Sequence, residues 1–243
     1  MAGNRLKKEI LTFPTLEQTI TAVADRFSAA ARQACQSSGR FTIVLAGGET
    51  PRALYRLLAT AYRDQFDWQR VYVFFSDERF VPHADPLSNY RMIKETLLDS
   101  VPIPEPQIYP MPTEGVSLEQ AALQYEAQLL SFFQGPPCFD WVLLGLGEDG
   151  HTASLFPGQN CFSQQWVAAV ADAPKPPPQR LTLTYQTFNQ SMEAVFLATG
   201  SQKAKVVANV LQAPETNLPA QKISPKQRLA WYIDEAAAGL LKS

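Results

Sequence analysis

Four short apolar segments constrain this chain most: Phe41-Thr-Ile-Val-Leu-Ala46, Val71-Tyr-Val-Phe-Phe75, Trp141-Val-Leu-Leu144 and Ala194-Val-Phe-Leu-Ala198. None alternates apolar with polar residues, so each reads as a strand buried on both faces. Helical patterns stand between them. Thr15-Leu-Glu-Gln18 is a capping box, and the helix it opens places Ile20, Val23, Ala24, Phe27 and Ala31 on one face as far as about Ser37, where Gly39 stops it. Pro51 opens a second helix through Arg63, and further helices are expected over 88–98, over 117–133 behind another Ser-x-x-Gln box, and after Lys203. Five prolines between Val101 and Pro112 predict an extended connection. Trp166–Ala171 and Leu181–Thr184 read as strands flanking a proline-rich loop, Pro174–Pro178, and Leu229–Ile233 as a last strand before an Ala-rich helix from Asp234.

Strands alternating with helices predict an α/β fold, a largely parallel sheet covered by helices on both faces. The 243 residues, 46% of them hydrophobic, suit one domain over 1–243. Net charge is −2, which gives no basic field for nucleic acid or an anionic membrane surface. Cys35, Cys138 and Cys161 are too few and too scattered for a disulfide framework or a zinc site, and so predict a reducing compartment. The charged start, Met1 to Glu9, has no apolar run after it, and no stretch nears the ~18 apolar residues of a membrane span. A cytoplasmic protein is the expectation.

In parallel sheets ligands bind beyond the carboxyl ends of the strands. Four expected strands end there in polar loops: Gly47-Gly-Glu-Thr50, Ser76-Asp-Glu-Arg79, Gly145 through His151, and Gly200-Ser-Gln-Lys203. The first is a glycine turn opening a helix, suited to close backbone approach to an anion, but it lacks the lysine and spacing of a P-loop. Gly145-Leu-Gly-Glu-Asp-Gly150 spells a dinucleotide fingerprint, with Asp172 near the expected position of a ribose-binding acid. Pro157-Gly158 follows too soon to leave the helix that a pyrophosphate needs, so that reading is set aside. Only two histidines exist. His151, at the end of an expected buried strand and beside Asp149, is the candidate general base, with Asp149 or Asp77 to orient it. His83, among loop residues, reads as a surface side chain. No nucleophile elbow and no metal-ligand spacing occur.

Together these loops resemble the 6-phosphogluconolactonase family, itself similar to glucosamine-6-phosphate deaminase and more distantly to ribose-5-phosphate isomerase. The matching segments are Ala46-Gly-Gly-Glu-Thr-Pro-Arg52, Phe75-Ser-Asp-Glu-Arg79 with Ser88-Asn-Tyr90, Gly145-Leu-Gly-Glu-Asp-Gly-His-Thr-Ala-Ser-Leu-Phe-Pro157, Pro176–Thr182, Gly200-Ser-Gln-Lys-Ala204 and Trp231-Tyr-Ile-Asp-Glu235. The resemblance implies a three-layer sandwich like that of the deaminase and the isomerase. It implies hydrolysis of 6-phospho-D-glucono-1,5-lactone in the oxidative pentose phosphate route, with water as second substrate and no cofactor or metal. On it, His151 is base and then acid, Asp77 and Asp149 are candidates to orient it, and Arg79 and glycine-loop amides stabilise the oxyanion. Gly47, Gly48, Thr50, Asn89, Arg180 and Lys203 hold the substrate and its phosphate. The expected partner is this small molecule alone, with no nucleic acid and no membrane, in a monomer or dimer. The runners-up are an aminosugar-phosphate deaminase or isomerase and a non-catalytic sugar-phosphate sensor. One position departs from the family's usual small hydroxyl residue: Glu49 stands in the Gly-Gly turn. Either its carboxylate points outward or the turn contacts something other than phosphate.

Overall fold

The structure is a computed structural model, described here over residues 6–159 and 164–242; Cys161 lies outside them. Strands β1 (Lys7–Phe13), β2 (Phe41–Leu45), β3 (Val71–Phe75), β5 (Trp141–Leu144), β8 (Glu193–Ala198) and β9 (Arg228–Asp234) form one sheet. Its order is β1-β9-β8-β5-β2-β3 and every neighbouring pair is parallel. The four apolar segments are its interior and one edge. β2, β5 and β8 are buried throughout, which is why their side chains do not alternate.

Helices α1 (Leu16–Ser38), α2 (Glu49–Ala59), α3 (Asn89–Ile93, continued by a π turn over Lys94–Leu98), α4 (Leu118–Phe133), α5 (Tyr185–Gln190), α6 (Ala204–Gln212) and α7 (Glu235–Ala238) complete the chain, in an α/β three-layer sandwich. The caps fall as expected. Thr15 accepts from Gln18 N, Ser117 and Gln120 close a capping box, and Gly39 ends α1 in the left-handed conformation. α2 differs: it begins at Glu49, with Pro51 in its first turn, and ends at Ala59, short of Arg63.

A second sheet departs from the expected layout. β6 (Val167–Val170) and β7 (Arg180–Leu183) pair antiparallel with each other, and β7 pairs with β4 (Asp77–Arg79). So Asp77-Glu-Arg79 is strand rather than loop. Ser76 is the crossing point, its N–H on Leu45 O of the large sheet and its carbonyl accepting from Leu183 N of the small one. α4 lies against β6 and β7 on one side and the large sheet on the other, where Phe132 packs on Phe74 and the Tyr125 hydroxyl accepts from Phe75 N. One hydrophobic core runs through both sheets.

Candidate active site

All four polar segments reach the carboxyl edge of the large sheet, where they surround a cavity of about 460 Å³. Gly47, Gly48, Thr50, Asp77, Arg79, Asn89, His151, Arg180 and Lys203 line it. Asp149 is not at the lining but stands behind His151. Lys175, Gln202 and Ser76 also line the cavity; the sequence places Ser76 and Gln202 in the polar strand-end segments but gives none of the three a role. Their only signals were a lysine inside a proline run and two polar residues at strand ends.

His151 is set by its own loop. Gly147 N donates to His151 O and Gly150 N to Gly147 O, closing a turn that is not continued by a helix. A Cβ at Gly147 would sit 2.0 Å from the imidazole Nδ1, so only glycine leaves room for the ring. Gly150 has φ +85° and lies against Leu218. The ring also packs on Phe156, centroids 4.6 Å apart, and Phe156 has the Arg180 guanidinium 5.7 Å from its own centroid.

His151 Nδ1 bonds Asp149 Oδ1. Burial lowers the histidine below its ordinary value, against the pull of the Asp149 carboxylate. Burial opposes ionisation of Asp149, but the imidazole bonded to it prevails and holds the carboxyl below its usual range. A neutral ring beside an ionised carboxylate must carry its proton on Nδ1, because the carboxylate can only accept. Nε2 is left with a free lone pair.

Asp77 has other partners. It is 7% exposed and accepts from Ser76 Oγ at 3.0 Å and Ser154 Oγ at 2.7 Å. Asn89 Nδ2 donates to its backbone carbonyl at 3.0 Å. Of the two carboxylates considered for orienting His151, Asp149 is the one bonded to the ring. Glu78, next in β4, is buried and accepts from the amides of Arg79, Asn89 and Tyr90 and from Ser88 Oγ. Burial raises its carboxyl despite those bonds. Glu78 thus ties the start of α3 to β4 and fixes Asn89 under Gly47, where a Cβ would lie 2.0 Å from Asn89 Oδ1.

The cations differ in freedom. Arg79 Nη1 donates to Leu87 O at 2.7 Å. Arg180, 5% exposed, gives Nε to Pro177 O and Nη2 to the carbonyls of Lys175 and Pro176. It therefore fastens the proline loop as well as facing the cavity. Lys203 is half-buried; burial lowers its ammonium, Glu148 pulls it back, and Lys175 lowers it further. Thr50 and Thr199 join the first and last loops through their hydroxyls, 3.2 Å apart. Glu49 is at the open rim of the cavity, its side chain 85% exposed and paired with Arg52 at 3.2 Å. His83 lies elsewhere, its Nε2 2.8 Å from Met111 O and its ring against Tyr90. Among the described residues no three potential metal ligands come together.

The arrangement offers one neutral base, several cations and a glycine-lined wall, which suits addition of water to a carbonyl on an anionic substrate. Comparisons with known proteins show the family. The family model described as glucosamine-6-phosphate isomerases/6-phosphogluconolactonase matches residues 14–231. A 6-phosphogluconolactonase of Rattus norvegicus is 41% identical over 84% of this chain and 81% of its own. One from Synechocystis is 38% identical over 98% and 96%. The crystal structure of the 6-phosphogluconolactonase of Thermotoga maritima superposes with a TM-score of 0.85 at 29% identity, covering 94% of this chain and all of that one. This chain belongs to the glucosamine-6-phosphate isomerase/6-phosphogluconolactonase family.

Proposed function

We propose that this protein hydrolyses 6-phospho-D-glucono-1,5-lactone to 6-phospho-D-gluconate, with His151 as general base. The observation that carries the reading is His151, bonded to Asp149 behind it, on a cavity that Arg79, Arg180 and Lys203 also line. Nε2 takes a proton from water, and the water oxygen adds to the lactone carbonyl. The carbonyl electron pair moves onto oxygen, where Arg79 and glycine-loop amides stabilise it. On collapse the bond from that carbon to the ring oxygen breaks, and the imidazolium returns its proton to the ring oxygen. The new carboxylic acid then ionises. Lys203 and Arg180, with the Gly48 and Thr50 amides, hold the phosphate away from the reacting carbon.

The supporting experiment offers fresh lactone to the protein and follows acid release above the spontaneous rate. Release of acid is expected, and none would sink the reading. Glucosamine 6-phosphate in the same assay tests a deaminase through ammonia. A sensor releases neither yet binds 6-phosphogluconate.

A further inference from the structure

The closing segment Trp231-Tyr-Ile-Asp-Glu235 has no part in the chemistry above, yet it carries a buried acid, Asp234. Asp234 is the last residue of β9 and 6% exposed. It does not line the cavity. Both of its carboxylate oxygens accept from Gly200 N, each at 3.0 Å, and Oδ1 also accepts from Ala237 N at 2.8 Å. The second contact is an ordinary helix cap, for which serine serves as well as aspartate. The first is not needed by the cap. It is a charge-assisted clamp on a turn in the neighbouring strand's loop.

That turn leads straight to the phosphate side of the cavity. β8 and β9 run in register to Ala198 and Ile233, so Gly200 and Asp234 leave the sheet side by side. Gly200 has φ +91°, and a Cβ there would meet Gln202 Oε1 at 2.5 Å. Its carbonyl accepts from Lys203 N at 3.0 Å, which closes the turn and fixes the root of the Lys203 side chain. Thr199, one residue before, is bonded to Thr50 at the cavity wall.

We propose that Asp234 is a positioning residue for phosphate recognition: by holding Gly200 N–H it sets the Gly200–Lys203 turn so that the Lys203 ammonium faces the substrate phosphate. This rests on the hydrolase reading above. Losing the clamp leaves Lys203 charged but mobile, so the orienting share of its contact is lost while His151, on a different loop, is untouched.

Asp234→Ser tests this. Its single oxygen can still cap Ala237 N but is one bond too short to hold Gly200 as well. KM for the phosphorylated lactone should rise about tenfold, the usual worth of one charge-assisted hydrogen bond. The kcat should stay within about twofold, and unphosphorylated gluconolactone should be hydrolysed as by wild type. In a Lys203→Ala background the same substitution should add nothing, because its effect passes through Lys203. Equal losses on both lactones, an unchanged KM in a folded variant, or additive effects with Lys203→Ala would each overturn the proposal. If Asp234→Ser does not fold, Asp234→Asn keeps Oδ1 for Ala237 and replaces one acceptor at Gly200 with a donor; a smaller but equally selective loss is expected. A wild-type protein inactive on the phosphorylated lactone sinks the hydrolase reading instead. Calorimetric affinity for 6-phosphogluconate, weakened by Asp234→Ser or not, then still decides the clamp.

Discussion

On the proposed mechanism His151 is the residue on which the chemistry turns. His151→Ala should lower kcat by ~10²–10⁴-fold, the usual worth of a general base, with 6-phosphogluconate affinity little changed. His83→Ala, on a histidine bonded to Met111 O away from the cavity, should be near neutral; a loss like that of His151 would mean the wrong base was chosen. The pH dependence has a defined sign. Burial lowers the folded-state value of His151 below its ordinary one, and only the neutral ring accepts a proton. Activity should therefore be full at neutral pH and fall only on acidification below about 6.5. An acid limb centred above 7 would contradict the buried, neutral imidazole. Lys203→Ala should raise KM selectively for the phosphorylated lactone, since removing one partner of a desolvated charge pair costs on the order of 2–5 kcal/mol. Activity should also survive exhaustive chelation, because the chemistry described needs only water and His151; restoration of a chelated, dead enzyme by zinc or magnesium would refute that.

Among the elements, the proline loop and β7 act together. Two nitrogens of Arg180 hold the carbonyls of Lys175, Pro176 and Pro177. Arg180→Ala should consequently do more than weaken phosphate binding. Losing these three hydrogen bonds, on a loop that is largely exposed, should lower stability by about 1–2 kcal/mol and loosen the loop that brings Lys175 to the cavity. Urea denaturation alongside KM measurements checks this; a selective KM effect at unchanged stability would reduce Arg180 to a phosphate contact. The Gly145–His151 loop is equally specific in its requirements, since the Gly147 Cα faces the imidazole with no space for a methyl group.

On the scale of the whole molecule, chemistry and stability occupy opposite ends of the sheet. The cavity is at the carboxyl ends. At the amino ends of β8 and β9, the buried Glu193 bonds Arg26, with Nε at 2.8 Å, and Arg228, with Nη1 at 2.9 Å; Arg228 also pairs with Glu9 of β1. This network ties α1 and three neighbouring strands. Removing one member of a buried ion pair strands the others, but both arginines keep some solvent, so Glu193→Ala should cost about 2–3 kcal/mol. The kcat and KM should not move, and a change in either would mean that the two ends communicate.

Much of this was legible along the chain because it is local. The β2, β3, β5 and β8 segments announce burial on both faces, and hydroxyl–Gln boxes mark where α1 and α4 begin. The motif around His151 carries the proposed base and the carboxylate bonded to it two residues apart. β1 was not legible: as an edge strand it has one partner, and Lys7-Lys-Glu9 has no apolar signature. Nor was β4, whose three polar residues are strand only because β7, about a hundred residues later, pairs with them. The separation of roles between Asp77 and Asp149 likewise depends on Ser154, which folding brings to Asp77. The double duty of Arg180 and the reach of Asp234 to Gly200 are contacts between distant segments. Periodicity, caps and turns act within a few residues and so can be read from the sequence. Which donor meets which acceptor across the sheet edge is decided only when the strands take their order, and tertiary structure alone sets that.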